Sequence, residues 1–269
     1  MHEYQREMDI AREAAAKASE VIRSHYAELD AVDDAPASVT TKTDRASQEI
    51  ILQHITRAFP SDALSAEEST ATLANADQSG ERLWIVDPID GTRGFVKKNG
   101  EFSVMIGFVH RGQIQLGVVA EPATNLTTYA LRGQGCWVLE GDADPRPCRV
   151  RTVEKVSEAI LTQSHSKGDP LESWAARLLG VSQVCESYSA GVKLALVARG
   201  EADVYVNSYS EFHDWDICAG HILVEEAGGT VTGLQGETIQ YGSPGAWQRS
   251  GLLASNGPIH AEVLTRLAP

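Results

Sequence analysis

The spacing of apolar positions along the chain changes character twice. From Tyr4 to Leu29, Ile10, Ala14, Val21 and Ile22 recur at helical spacing among Glu and Arg, which predicts a long amphipathic helix. A polar stretch, Asp30 to Ser38, separates it from a second helix over Arg45 to Ala58. That helix turns Ile50, Ile51, Ile55 and Ala58 inward and stops before Pro60. From Leu83 the period shortens. Leu83-Trp84-Ile85-Val86 reads as a buried strand, and Phe102 to Val109, Gln113 to Ala120 and Asn125 to Leu131 as three more. Arg111-Gly112-Gln113 is a tight turn within this run, so an antiparallel meander is expected.

Beyond about residue 158 strands and helices alternate. Ala159–Thr162, Val181–Cys185, Asp203–Val206, Thr230–Thr232 and Leu252–Ala254 read as strands. Leu171–Leu179, Gly191–Ala198, Trp215–Ala227 and Ile259–Leu267 read as helices, the third ending at Gly228-Gly229 where a left-handed cap suits glycine. No internal repeat or flexible linker interrupts the pattern. A soft boundary near 150–158 divides the chain into an N-terminal half, 1–155, and a C-terminal half, 156–269, within one α/β body.

Composition narrows the function classes. A net charge of −14 argues against a nucleic-acid or anionic-membrane surface. No apolar run approaches the roughly 20 residues that span a bilayer, and no signal peptide is read at the N-terminus. The four cysteines lack C-x-x-C spacing, which favours reduced thiols and a cytoplasmic setting.

Candidate chemistry gathers in Asp87-Pro88-Ile89-Asp90-Gly91-Thr92, immediately after the apolar strand. Two carboxylates three residues apart, with proline and glycine bending the chain, can converge on one point. Emerging from a core they repel, and oxygen-only ligands suit Mg²⁺. Gly91 and Thr92 then open a helix whose free N–H groups suit an anion. Taken alone, the segment is equally a turn with capping aspartates. Glu67-Glu68 can be a solvated face, and Asp216, at the start of an apolar helix, an N-cap. Asp44, before the second helix, has the same two readings.

Two longer stretches tie these residues together. Trp84-Ile85-Val86-Asp87-Pro88-Ile89-Asp90-Gly91-Thr92-Arg93-Gly94-Phe95 resembles the first signature of the inositol-monophosphatase-like, lithium-sensitive phosphatases. Trp215-Asp216-Ile217-Cys218-Ala219-Gly220, running on to Glu226-Ala227-Gly228-Gly229, resembles the second. The resemblance spans nearly the whole chain. It implies a layered αβαβα sandwich and hydrolysis of a small phosphorylated substrate with two or three Mg²⁺ ions. It assigns Glu67, Asp87, the Ile89 carbonyl, Asp90 and Asp216 as metal ligands. Asp44 and Thr92 would orient the attacking water beside Glu67, and Gly91 and Thr92 would meet the phosphate. Asp90 and Asp216 would also face substrate. Ala66 replaces a glycine frequent in the family.

Within the family, Lys98-Asn99-Gly100-Glu101-Phe102-Ser103-Val104, Gly117 to Pro122, Ser164-His165 and Lys193 resemble the 3′(2′),5′-bisphosphate nucleotidases of the CysQ type. That branch implies His165 and Lys193 as nucleotide contacts and adenosine 3′,5′-bisphosphate as substrate, with inositol or sugar phosphates as the alternative. A non-catalytic binding relative is the other class of reading. Two positions depart from the branch: Ala190 replaces a serine, and Asn207 an arginine that receives the 5′-phosphate. The stretch Asn207 to His213 is a candidate specificity loop, with His213, Lys97 or Lys98 as substitutes for the lost charge. Homodimers are common in such folds.

Overall fold

A computed structural model describes residues 3–36, 40–209 and 212–268. Ala37 and Ser38 of the first polar stretch, and Ser210 and Glu211 of the candidate specificity loop, lie outside them.

The first half of the chain builds a seven-stranded sheet covered on one face by helices α1 (Gln5–Glu28) and α2 (Lys42–Ala58). Along α1 the buried positions Met8, Ala11, Ala15, Ala18 and Ile22 fall on one stripe, and the alanines let it lie close to α2 and the sheet. Thr41 and Asp44 form a reciprocal capping box at the start of α2, which therefore begins three residues earlier than the apolar spacing predicts. The sheet runs β1 (Ala63–Ala66), β2 (Arg82–Asp90), β3 (Ser103–His110), β4 (Gln113–Glu121), β5 (Leu126–Leu131), β6 (Cys136–Glu140) and β7 (Arg146–Cys148). Only the β1–β2 pair is parallel; β2 to β5 form the expected meander, and β6 and β7, which the apolar spacing does not predict, continue it. Short helices α3 (Ala71–Ala74) and α4 (Thr92–Val96) flank β2.

The central strands are apolar on both faces because both are covered. Trp84, Val86, Ile106 and Phe108 pack toward α1 and α2. Leu83, Ile85, Met105 and Val109 pack the other way, toward α6 (Ala190–Ala198) and α7 (Asp214–Glu226), which make a middle helical layer. Beneath that layer lies a second sheet, formed by β8 (Ile160–Gln163), β9 (Gln183–Glu186), β10 (Val204–Asn207), β12 (Thr230–Thr232) and β14 (Leu252–Ser255) in the order β12-β14-β10-β8-β9. Helices α5 (Trp174–Leu179) and α8 (His260–Leu267) cover its outer face with Leu161, Val204 and Leu253. The layers are thus α, β, α, β, α. A short pair, β11 (Phe212–His213) and β13 (Trp247–Gln248), stands apart.

Helix α5 is shorter than the span Leu171–Leu179 expected. Pro170 opens a separate single turn, and the Ser173 side chain caps α5 proper at the Ala176 N–H. Strand β2 runs further than expected, through both aspartates of the first signature.

Candidate active site

In a regular strand residues i and i+3 point to opposite faces, so Asp87 and Asp90 should diverge. They do not, because the pairing with β3 slips between them: Asp87 pairs with Met105, and Asp90 with Ser103. The extra residue is a bulge that re-aims Asp90. The Asp87 carboxylate accepts the Ile89 N–H at 3.0 Å, which holds the turn at Pro88. Gly91 follows at φ 84°, a left-handed conformation; a Cβ there would lie 2.7 Å from the Glu101 carbonyl oxygen.

Asp216 comes from the first turn of α7. Asp87, Asp90 and Asp216 each offer one carboxylate oxygen to a cluster whose members all lie within 4.8 Å of one another. Burial, then repulsion from Glu67 and Asp90, raises the Asp87 carboxyl well above the usual carboxylate range. Burial likewise raises Asp90, against the pull of the Ser189 hydroxyl, the Lys193 ammonium and the Gly191 N–H, which donates at 2.7 Å. Burial, partly offset by the His213 N–H, pushes Asp216 up to about 7. Glu67 reaches in from the end of β1. Crowding by protein and repulsion from Asp216 push it up to about 8, even though one side of the residue is open to solvent. One buried ammonium, Lys193, does not balance four acids. An all-oxygen set at this spacing fits hard divalent cations such as Mg²⁺, which take carboxylates readily.

Capping and clustering are not exclusive roles. Asp216 occupies the third helical position of α7, where it accepts the His213 N–H at 2.6 Å, and it also faces the cluster. Asp44 caps α2 and reaches the site through Thr92. One oxygen accepts from the Thr41 N–H at 2.9 Å and the Thr41 hydroxyl at 2.5 Å. The other lies 2.9 Å from the Thr92 hydroxyl, which is also 2.9 Å from the Ile89 carbonyl oxygen. Burial raises the Asp44 carboxyl, with the Thr41 and Thr92 hydrogen bonds opposing. The acidic pair divides its work. Glu67 lines the cleft, whereas Glu68 is buried against α2, its N–H donating to Gln48 at 2.8 Å.

Glu67, Asp87, Asp90, Thr92 and Asp216 border a cleft of about 540 Å³, whose lining includes Gly91, Ala190, Lys193 and Asn207; Asp44 sits behind Thr92. Lys193 is buried, with Nζ 2.7 Å from the Ser187 carbonyl oxygen and 3.3 Å from Ser164 Oγ. Burial lowers it to about 8, against the Asp90 charge. Asn207 is engaged locally, donating to the Tyr205 hydroxyl and accepting the Tyr209 N–H. His165 is not brought into the cleft lining. Its Nε2 sits 2.6 Å from Glu101 and its ring 4.3 Å from that of Tyr188. Of the proposed substitutes for the missing arginine, the two lysines are engaged elsewhere, and His213 holds Nδ1 3.9 Å from the Asp216 carboxylate. Lys97 binds the Asp33 carbonyl, Lys98 lies over Tyr26, and the His213 ring stacks on Trp215.

Several lining or supporting residues carried no recognised signal. Ser189 caps α6 through the Val192 N–H and donates to Asp90, and the Ser103 hydroxyl lies 3.0 Å from that of Ser189. A serine immediately before an apolar helix is a readable cap, and that was the available clue. Tyr188, Tyr205 and Arg93 complete the walls.

Comparison with known proteins places this geometry. The profile of the inositol monophosphatase family matches residues 3–269. A fructose-1,6-bisphosphatase/inositol-1-monophosphatase of Thermotoga maritima is 32% identical, over 96% of this chain and 94% of its own. A histidinol-phosphatase of Mycobacterium tuberculosis is 31% identical over 96% of both. The 3′(2′),5′-bisphosphate nucleotidase CysQ of Salmonella typhimurium is 33% identical over 78% of this chain and 80% of its own. The solved inositol monophosphatase of Anabaena superposes with a TM-score of 0.78 at 30% identity, covering 98% of this chain and 95% of that one. The chain therefore belongs to the inositol monophosphatase family of metal-dependent phosphomonoesterases.

Proposed function

We propose that the chain is a Mg²⁺-dependent 3′(2′),5′-bisphosphate nucleotidase that hydrolyses adenosine 3′,5′-bisphosphate to AMP and phosphate. The observation that carries the reading is Lys193. A fully buried ammonium opening on the cleft next to Asp90 is costly unless an anion uses it, and it falls in the stretch that resembles the CysQ branch. The 33% identity to a CysQ nucleotidase supports the same choice.

Glu67, Asp87, Asp90, Asp216 and the Ile89 carbonyl are the groups that would hold magnesium. When bound, the ions supply Lewis-acid stabilisation of the phosphoryl oxygens and activation of water. The chain's own part is positioning. Asp44, fixed by both bonds from Thr41, is placed to keep the Thr92 hydroxyl oriented, so that its oxygen can accept from an attacking water. Gly91 and Thr92 open α4 toward the cleft and would meet the phosphate oxygens. Water attacks phosphorus as the ester P–O bond breaks, and the leaving oxygen gains a proton. His165 would act at the rim, through Glu101 and Tyr188. Ala190 and Asn207 offer shape and neutral hydrogen bonding rather than charge.

A second reading, an inositol or fructose bisphosphate phosphatase, is favoured by Asn207, which brings no cation to the cleft, and by the Thermotoga relative. A binding-only role is disfavoured, since Glu67, Asp87, Asp90, Thr92 and Asp216 are all present. The halves 1–155 and 156–269 correspond in this reading to the larger share of the ligands and to the specificity residues. Cytoplasmic residence fits four free cysteines, and a homodimer is the assembly we expect. Among the described residues no helix is long and apolar enough to cross a membrane.

Phosphate release with Mg²⁺ from adenosine 3′,5′-bisphosphate, inositol 1-phosphate and fructose 1,6-bisphosphate tests the substrate. We expect the nucleotide to give the highest kcat/KM. A clear preference for inositol 1-phosphate would reject it.

A further inference from the structure

The chain has 37 acids against 23 lysines and arginines, and of the half-buried arginines among the described residues only Arg12, which lies over Tyr129, and Arg93 meet no carboxylate. Arg82, Arg132, Arg151 and Arg199 each hold a carboxylate. Arg93 holds none. It follows Thr92 in α4, is half-buried and lines the cleft. Its Nε is sealed from solvent with no hydrogen-bond partner. Its guanidinium lies over the ring of Tyr188, with Cζ 5.3 Å from the ring centre.

A buried donor left unsatisfied is costly, and it persists in native proteins where something else completes it. The four acids of the cleft do not do so: among the described residues no hydrogen bond or ion pair joins Arg93 to Glu67, Asp87, Asp90 or Asp216. Lys193 gives two of its three N–H bonds to Ser187 and Ser164. Among the described cations of the cleft, Arg93 has the most unspent donors. A guanidinium held over an aromatic ring is restrained there and keeps its terminal N–H groups for phosphate or carboxylate. At about 540 Å³ the cleft takes a molecule much larger than one phosphate.

We infer that Arg93, backed by Tyr188, receives a second anionic group of the substrate, so that the preferred substrates carry two phosphates. This rests on the phosphomonoesterase reading and specifies its substrate class. Arg93 then takes over the task for which Asn207 has no charge. Substrates whose far end is neutral, such as inositol 1-phosphate, or cationic, such as histidinol phosphate, gain nothing from it.

The test compares matched pairs on wild type, Arg93→Met and Arg93→Lys with Mg²⁺: adenosine 3′,5′-bisphosphate against adenosine 3′-monophosphate, and fructose 1,6-bisphosphate against fructose 1-phosphate. For the preferred pair, the wild-type preference for the bisphosphate is expected to fall roughly 10- to 100-fold in Arg93→Met, mainly through KM. Arg93→Lys should recover part of it, because it restores charge without the fork. An equal loss on both members of the pair would place Arg93 on the reacting phosphate and overturn the inference. So would a wild type that prefers monophosphates, an outcome that leaves the phosphomonoesterase reading standing. If no phosphate is released from any substrate, that reading fails by itself. Calorimetric binding of adenosine 3′,5′-bisphosphate to the Mg²⁺-loaded proteins then decides for Arg93: weaker binding to Arg93→Met supports the inference, and equal binding overturns it.

Discussion

Four carboxylates facing one cleft repel one another, and that repulsion makes their residues the most informative to change. Asp90 is buried, bonded to Ser189 and Gly191, and one of three aspartates within 4.8 Å. Asp90→Asn removes a charge but almost no volume. Turnover should fall at least about 1,000-fold, as expected when a charge that organises a reacting centre is lost, while circular dichroism stays native. Near-normal turnover would dismiss the carboxylate cluster as the reacting centre. The same repulsion gives a pH signature. In the folded, metal-free chain Asp216 lies at about 7 and Glu67 at about 8, both above the ordinary carboxylate range of an unfolded chain. The folded state therefore binds more protons, and their contribution is complete below the unfolded values and lost as pH rises through the folded ones. Thermal melts in EDTA should show the midpoint falling between about pH 5 and pH 8. Millimolar Mg²⁺ should reverse most of that fall. A midpoint that rises across the window would contradict the account.

At the scale of elements, the close approach of α7 to the first sheet places Asp216. Gly117 on β4 makes this possible, because a methyl there would run into the Ala219 carbonyl oxygen. Gly117→Ala should cost about 1–3 kcal/mol by overpacking, measured by urea unfolding, and should lower kcat by shifting the first turn of α7. An unchanged denaturation midpoint would mean that the helix is free to move away. Most of the elements were legible where burial leaves a period: α1, the β3–β5 meander and α7. The short edge strands were not. Ala63–Ala66 and Arg146–Cys148 are three or four residues long with little alternation, and Trp137 on β6 is exposed, so no pattern marks them. The bulge in β2 was only hinted at by Pro88 and Gly91, because a slip in register depends on the partner strand.

For the whole molecule, the five layers bring Glu67 from β1, Asp87 and Asp90 from β2, and Asp216 from α7 to one opening, with Asp44 of α2 buried behind Thr92. Each of these acids reads locally as a cap, a turn or a surface charge. Their meeting was legible through the family signatures and not through spacing, since contacts between residues 100 or more apart leave no periodic trace. Arg93 was passed over for the same reason: in sequence it is one more basic residue at the start of a helix, and only the fold shows its Nε buried without a hydrogen-bond partner. The central claim is that this opening holds magnesium and hydrolyses a phosphomonoester. Its most direct test is phosphate release from adenosine 3′,5′-bisphosphate by wild-type protein stripped with EDTA and then titrated with MgCl₂. The account predicts no release above background in EDTA and saturable restoration with Mg²⁺. Full activity in EDTA, or none at any Mg²⁺ concentration on this or the other phosphomonoesters, would contradict it.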